Sequence, residues 1–214
     1  MTRIAVIGGS GYAGRHIVEA AVVAGHDVVS LSRHEPAEQI GGVHYLLGTI
    51  ENAADRGRAL AGAEVAIVAV SARGDMLGRV RPAIAELAAE AAEAGVRLGV
   101  IGGAGSLLER AGGDLLLNSP DFSPEAKPEA TEMRDVLADL RAGAPTLDWF
   151  YVSPAATFGP WAAGEYTGDY RVGGDVLLTD DEGNSSISGA DFGVAIVDEI
   201  ESGEHRRAQL TIAY

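Results

Sequence analysis

The sequence predicts an α/β fold built on a doubly wound, mostly parallel sheet. Short apolar segments alternate with longer Ala- and Glu-rich segments through the first half of the chain. Several of the longer segments stop at a glycine, which is typical of a helix C-terminus. Residues 65–71 are a nearly continuous apolar run, as in a strand buried on both faces. Repeated strand–helix alternation of this kind indicates parallel strands joined by crossover helices.

The first strand, helix and strand are predicted within residues 3–32. Residues 3–8 (Arg-Ile-Ala-Val-Ile-Gly) form an apolar strand, residues 14–24 form an Ala- and Val-rich helix, and residues 28–32 form a second strand. This is the length of one βαβ unit. Later strands are predicted at residues 43–47, 65–71, 98–102, 147–153 and 208–214, and later helices at residues 52–60, 81–94, 128–141 and from an N-cap at Ser188 to residue 202.

Two segments in the second half of the chain depart from this alternation. Residues 107–127 carry scattered Gly, Pro and Asp, and we expect a long loop over the C-terminal edge of the sheet. Residues 154–188 are rich in Gly, Tyr and Thr and are interpreted as a small substrate-side extension of two short strands, with a hairpin turn at residues 181–184. No repeat or linker is visible, so residues 1–214 are expected to form a single domain.

Composition excludes several classes of function. The net charge of −15 argues against binding to nucleic acid or to an anionic membrane, because both need a basic surface. The chain has no cysteine, and its five histidines show no ligand spacing, so we expect no disulfide and no metal site. No apolar run reaches the ~18 residues of a membrane span, and the N-terminus lacks a signal-peptide layout. A cytoplasmic monomer or homodimer acting on a small molecule is the expectation.

The turn after the first strand predicts a dinucleotide site. Its glycines at positions 8, 11 and 14 give the pattern G-x-x-G-x-x-G between a strand and a helix. The first permits the tight turn, the second lets the backbone approach a pyrophosphate, and the third lets helix and strand pack closely. The helix N-terminus adds unpaired N–H groups and a positive dipole. We therefore predict a Rossmann-type sheet with cofactor contacts from Gly8, Gly9, Ser10, Gly11, Tyr12, Ala13 and Gly14.

The end of the second strand favours NADP(H) over NAD(H). Proteins that bind NAD usually have an acid there, whereas an arginine accommodates the 2′-phosphate of NADP. Here the residues are Ser32, Arg33 and His34. Arg33 can make a bidentate contact with phosphate, and Arg15 can add a second. The alternative is that both are solvated arginines in an arginine-rich chain.

These residues, together with the Val-Ala-Val-Ser at positions 68–71, carry a family resemblance. The chain resembles the atypical short-chain dehydrogenase/reductases, especially the small NAD(P)H-binding, NmrA-like group described as NADH-flavin or biliverdin-type reductases. The resemblance continues through Ile-Gly-Gly-Ala-Gly-Ser at 101–106, Trp-Phe-Tyr-Val-Ser-Pro at 149–154, Tyr-Arg at 170–171 and residues 187–199. It implies an NAD(P)H-dependent activity for nearly the whole chain.

Two departures limit what the resemblance implies. Short-chain dehydrogenases proper carry Tyr-x-x-x-Lys, whereas the nearest frame here runs from Ser123 to Lys127. A serine hydroxyl is far less acidic than a phenol, whose free pKa is about 10, so ordinary alcohol dehydrogenase chemistry is not expected. Related proteins often have Gly-Asp after the third strand; Gly48-Thr49 stands here and leaves the adenine contacts open.

Further candidates follow the strand ends, where doubly wound sheets bind ligands. Ser71, Ala72, Ser153 and Pro154 are expected to contact the cofactor, while Ser106 and Lys127 are the candidate catalytic residues. The competing interpretation of the serines is turn or cap formation, and that of the lysine is solvation. Aromatic residues are concentrated nearby and suit either a flat ring substrate or core packing. They are Tyr151, Phe158, Trp161, Tyr166 and Tyr170.

Two functions fit this pattern. One is an NADPH-dependent reductase that transfers hydride to a flavin- or quinone-like acceptor, a reaction that needs little general acid. The other is a non-catalytic NADP(H)-binding redox sensor of NmrA type. A nucleotide-sugar epimerase ranks last, because the chain is short for a substrate domain and lacks the tyrosine.

Overall fold

The computed structural model describes all 214 residues and contains one sheet of eight strands with helices on both faces. The strands are β1 (Arg3–Ile7), β2 (Asp27–Ser32), β3 (Val43–Leu47), β4 (Val65–Val68), β5 (Arg97–Ile101), β6 (Trp149–Pro154), β7 (Arg171–Gly173) and β8 (Ala208–Ala213), and the helices are α1 (Tyr12–Val23), α2 (Ala53–Leu60), α3 (Val80–Ala94), α4 (Lys127–Ala142) and α5 (Gly189–Ser202).

The strand order β3-β2-β1-β4-β5-β6-β8-β7 confirms the Rossmann-type doubly wound topology. All neighbouring strands pair in parallel except β7, which is antiparallel to β8. The chain first winds outward from β1 to β3 and then returns to place β4 on the other side of β1. The order therefore reverses between β1 and β4, and a crevice opens at such a switch point outside the carboxyl ends of the strands.

The core consists of two apolar layers, one on each face of the sheet. Helices α1 and α5 cover one face, where Ile17 and Phe192 are fully buried. Helices α2, α3 and α4 cover the other face, where Leu87 and Val136 are buried. Successive side chains of a strand point to opposite faces, and covering both faces explains why the central strands are apolar throughout.

Local signals set most helix ends as the sequence predicts. The Ser188 hydroxyl accepts a hydrogen bond from the Asp191 N–H at 3.0 Å, so Ser188 is the N-cap of α5. Gly95 and Gly203 follow α3 and α5 with φ of +67° and +59°, a left-handed conformation that glycine adopts without steric cost. No helix in the structure combines the length and apolar character needed to span a bilayer.

Several predicted boundaries differ from the structure; for example, α1 begins two residues before the predicted start, at Tyr12, and β6 begins two residues after it, at Trp149. Strand β4 ends at Val68 rather than at residue 71: Ala69 still donates a hydrogen bond to the Ile7 carbonyl, and residues 69–71 line the crevice. Helix α4 starts one residue early, at Lys127. Between residues 155 and 188 only β7 forms a strand, and the remaining pairing is limited to isolated bridges of Thr157 with Ser186 and of Val176 with Leu108.

The predicted turn near residue 181 is present and explains the short pairing. The Asp180 carboxylate accepts hydrogen bonds from the N–H groups of Glu182 and Asn184, at 2.9 and 2.8 Å. These bonds give the turn a local alternative to cross-strand pairing.

Candidate functional site

The glycine-rich turn is so tightly packed that three of its glycines have no room for a side chain. A Cβ on Gly8, which has φ of +91°, would lie 2.5 Å from the carbonyl oxygen of Ala69. On Gly9 it would lie 2.3 Å from the Ser30 hydroxyl, and on Gly14 it would lie 2.2 Å from the Gly8 carbonyl oxygen. These positions hold the turn against β2 and β4 and bring α1 close to β1.

Gly11 is different because a side chain there would be far less crowded than at the other three glycines. It is the N-cap of α1 with φ −74° and ψ 171°, a conformation open to any residue. A Cβ there would lie 3.3 Å from the Gly8 carbonyl oxygen and 3.9 Å from that of Ala69. No side chain caps the N-terminus of α1, so its first N–H groups are available to an anion.

Two cavities meet at this turn and together follow the carboxyl ends of the strands. The larger has a volume of about 530 Å³ and the smaller about 330 Å³. The smaller lies outside β1, β2 and β3, and the larger outside β4, β5 and β6. Residues lining both are Gly11, Ala69, Val70, Ser71 and Arg73. The arrangement can hold an elongated ligand whose middle portion contacts the N-terminus of α1.

The larger cavity is mainly apolar. Aliphatic and aromatic side chains from the loop before α4, from α4 itself and from the segment after β6 line it; among them are Leu116, Phe122, Met133, Phe158 and Trp161. Its charged lining residues are Arg73, Asp121 and Glu129. Arg73 is paired with Glu129, and its guanidinium carbon lies 6.0 Å from the ring centroid of Trp161. A flat, apolar ligand suits this lining better than a highly charged one.

Most of the residues predicted to bind cofactor lie at these cavities. Ser32 accepts a hydrogen bond from the Ser10 N–H at 3.0 Å, which joins the end of β2 to the glycine turn. Gly9 and Gly14 pack inside the turn instead of lining a cavity. The residues of the predicted set that line one cavity or both are Gly8, Ser10, Gly11, Tyr12, Ala13, Ser32, Arg33, Ser71 and Pro154.

Three further residues of the predicted set also line neither cavity. The Arg15 side chain pairs with Glu19 and Glu38, away from both cavities. Ala72 is fully buried in the core. Ser153 is also fully buried, and its hydroxyl accepts a hydrogen bond from Gln209 at 3.1 Å. Since neighbouring residues of a strand face opposite ways, Pro154 reaches the cavity and Ser153 does not.

The two candidate catalytic residues also lie outside the cavity lining. Ser106 is buried, and its hydroxyl lies 3.3 Å from that of Tyr151, which donates to the Met133 carbonyl at 3.0 Å. Burial raises the pKa of Tyr151 to about 12, so this phenol is a neutral structural group. Lys127 is exposed on the first turn of α4 with no ion-pair partner. Neither Ser106 nor Lys127 is among the residues that line the larger cavity, although their neighbours Gly105 and Ala126 are.

The position of Lys127 outside the cavity lining follows from helix geometry. The α4 side that lines the cavity presents Glu129, Ala130 and Met133, positions spaced as one face of a helix. Lys127 is on another face. The same spacing in the sequence was the signal that could have identified Glu129 and Met133 as lining residues, whereas nothing local marked Arg73.

A buried carboxylate anchors the segment after the cavity wall. Asp191 is fully buried and accepts hydrogen bonds from the N–H groups of Thr167 and Gly168 and from the hydroxyls of Ser188 and Tyr214. Burial raises its pKa, but these hydrogen bonds outweigh burial and hold the pKa below the usual value. Asp191 therefore ties the extension after β6 to α5 and to the C-terminal residue.

Comparison with known proteins gives consistent matches over the whole chain. The model of a family described as "NAD(P)H-binding" matches residues 8–202. The uncharacterised protein YwnB of Bacillus subtilis is 32% identical over 212 residues, 98% of this chain and 97% of YwnB. A solved structure from Streptococcus pneumoniae, described as a "putative NADH-flavin reductase", is 33% identical with a TM-score of 0.83, covering 100% of this chain and 99% of that one. A "putative exported protein" from Burkholderia pseudomallei is 35% identical with a TM-score of 0.87, covering 100% of both chains.

Proposed function

Because this chain belongs to the NAD(P)H-binding family, and the atypical short-chain dehydrogenase/reductase resemblance is confirmed, we propose that it is an NADPH-dependent reductase of a flavin- or quinone-like acceptor. The observation that carries the proposal is the joining of two cavities at Gly11, the smaller lined by the glycine turn and Arg33, the larger lined mainly by aliphatic and aromatic side chains. The first suits the adenosine half of the cofactor, and the second suits the nicotinamide together with an acceptor.

The cofactor half rests on the turn and on the end of β2. The unpaired N–H groups at the start of α1 favour a pyrophosphate beside Gly11. Arg33 lines the smaller cavity and is half-exposed, which leaves its guanidinium accessible to a 2′-phosphate. NADP(H) is therefore the proposed cofactor in preference to NAD(H).

The acceptor half rests on the apolar lining. When bound, the nicotinamide supplies the hydride. The protein holds the acceptor ring between apolar walls, excludes water and limits charge, since Arg73 is already paired with Glu129. Tyr12, a tyrosine of the cavity lining, stands beside His16 at a centroid distance of 5.0 Å rather than beside a lysine. Flavin and quinone reduction fits such a site, because it needs little help from a positioned acid.

The experiment measures loss of reduced-nicotinamide absorbance with riboflavin, FMN or a soluble quinone under anaerobic conditions. We expect turnover above the protein-free rate with at least one acceptor. In Trp161→Ala the acceptor KM should rise about threefold or more, because an aromatic contact at the cavity is lost, while NADPH affinity stays unchanged. Tyr166→Ala is the matched control, since Tyr166 is equally exposed in the same segment but lines neither cavity.

The outcomes separate the two functions that the sequence allows. Binding of NADPH without turnover of any acceptor would support the redox-sensor alternative and contradict the reductase. Absence of binding for both NADPH and NADH at micromolar concentration would contradict both functions.

A further inference from the structure

Arg33 has a partner that lies across the cofactor groove. Its Nη1 is paired with Oδ2 of Asp75, and the side chains are 47% and 64% exposed. Asp75 belongs to a short 3₁₀ turn, Gly74–Met76, that follows β4. Arg33 follows β2, and β1 lies between β2 and β4. The ion pair thus connects the two sides of the smaller cavity, one lined by Arg33 and the other by Met76.

From this geometry we infer that Asp75 is a specificity determinant that competes with the 2′-phosphate of NADP(H) for Arg33. The inference rests on the proposed function, because it assumes that the smaller cavity takes the adenosine ribose. It names the residue that sets how strongly the site prefers NADP(H) over NAD(H).

The competition follows from charge and position. A 2′-phosphate that contacts Arg33 must displace the Asp75 carboxylate or lie beside it. Displacement loses an ion pair, and close approach places two anions together. Hydrogen bonding by Arg33 holds the pKa of Asp75 below its usual value, so the carboxylate is charged at neutral pH. NAD(H), which lacks the 2′-phosphate, meets neither penalty.

Neighbouring charged groups do not relieve this competition. Arg73, which lines the same cavity, is paired with Glu129, and Arg79 beyond the 3₁₀ turn is paired with Glu51. Arg33 is therefore the arginine of this cavity that stands at the end of β2, beside His34, and Asp75 is the acid that already holds it.

The test compares dissociation constants for NADPH and NADH by calorimetry in wild type and Asp75→Asn. The substitution keeps the shape of an exposed side chain and removes its charge. We expect the affinity for NADPH to rise about threefold, the scale of an exposed ion pair, and the affinity for NADH to stay the same.

Two further variants make the test specific. Glu35→Gln removes one negative charge from an exposed residue two positions after Arg33, and Glu35 makes no ion pair, so it should leave the NADPH-to-NADH ratio near the wild-type value. In the Arg33→Gln background, Asp75→Asn should no longer change NADPH affinity.

The inference is overturned by any of three results. The ratio can stay unchanged in Asp75→Asn although both nucleotides bind. The NADPH-to-NADH ratio can shift as much in Glu35→Gln as in Asp75→Asn, or the gain in NADPH affinity can persist in the Arg33→Gln background. Either result would mean a general charge effect. If wild type binds neither nucleotide, the proposed function itself fails, and this inference fails with it.

Discussion

Replacing Gly11 by alanine separates two roles of a glycine-rich turn, ligand approach and chain conformation. At φ −74° and ψ 171° alanine is conformationally acceptable, and its Cβ would meet nothing closer than the Gly8 carbonyl oxygen at 3.3 Å. A Gly→Ala change at such a position stabilises by about 0.4–1 kcal/mol through the unfolded chain, and the tight 3.3 Å contact offsets part of this. We expect the free energy of unfolding to stay within about 1 kcal/mol of wild type.

Nucleotide affinity should change much more than stability. The new methyl group occupies the space where the two cavities join, over the N–H groups at the start of α1. A pyrophosphate would have to move away from those donors, so we expect at least a tenfold loss of NADPH affinity, or about 1.4 kcal/mol. Stability and affinity should therefore separate in this variant.

Gly14→Ala is the contrasting variant. Its Cβ would lie 2.2 Å from the Gly8 carbonyl oxygen, and the backbone of the turn must move to admit it. Overpacking of this kind costs about 1–3 kcal/mol, and each kcal/mol lowers the Tm of a chain of this size by about 2–4 °C. The Tm of the ligand-free protein should fall here and stay nearly constant in Gly11→Ala.

The measurements are thermal unfolding without ligand and calorimetric titration with NADPH. If Gly11→Ala binds NADPH as tightly as wild type, the pyrophosphate does not lie at the N-terminus of α1. If Gly11→Ala instead lowers the Tm as much as Gly14→Ala does, the glycine at position 11 is needed for the fold of the turn and not for the approach of a ligand. Either result would refute the reasoning.

Three further predictions concern stability. Arg97→Met should lower the free energy of unfolding, measured in urea, by about 3 kcal/mol, because the buried Glu199 carboxylate then lacks its arginine partner. The double variant with Glu199→Leu should recover most of this loss. The pKa of Asp191 is lowered in the folded state, so its contribution is present above the unfolded value of 3.8 and is lost as the pH falls below it; Asp191→Asn should lower stability at neutral pH and flatten the decline in acid. The pKa of Tyr151 is raised from 10.0 to about 12, so stability should fall as the pH rises from 10.0 towards 12, and in Tyr151→Phe urea unfolding should show a weaker fall over that range.

Elements coded by local sequence could be predicted, and elements that depend on distant partners could not. The G-x-x-G-x-x-G turn, the Ser188 cap and the glycine stops act within one or two turns of chain, and the helices they bound formed nearly where expected. The end of β4 was missed because apolar residues continue past Val68 while the strand does not. Ala69 still donates to the Ile7 carbonyl at 2.8 Å, and beyond it the chain turns to the crevice. An apolar run in the sequence does not distinguish a buried strand from half-buried residues such as Ala69 and Val70, which line the cavities.

Several residues that line the smaller cavity were predictable for the same reason. They are contiguous in sequence or stand directly after β2, and the sheet fixes their relative positions. The arginine at position 15 failed because a helix turns about 100° per residue, which carries it from the ligand to Glu19 on the outer face. Arg15 is adjacent to the glycine turn in sequence, but its side chain does not reach the cavities in the fold.

The acceptor half depends on side chains from four separated segments, and their pairing decides what they can do. In the fold, Glu129 from α4 neutralises the charge of Arg73, and Trp161 lies beside the Arg73 guanidinium. The sequence alone does not show this pairing. Arg33 shows the same dependence, because its charge is shared with Asp75 from across β1. Both arginines face the groove, yet each is held by an acid more than 40 residues away in the chain. Counting basic residues after strands therefore overstates how strongly the groove attracts phosphate, because the charge of each of these arginines is already shared with an acid.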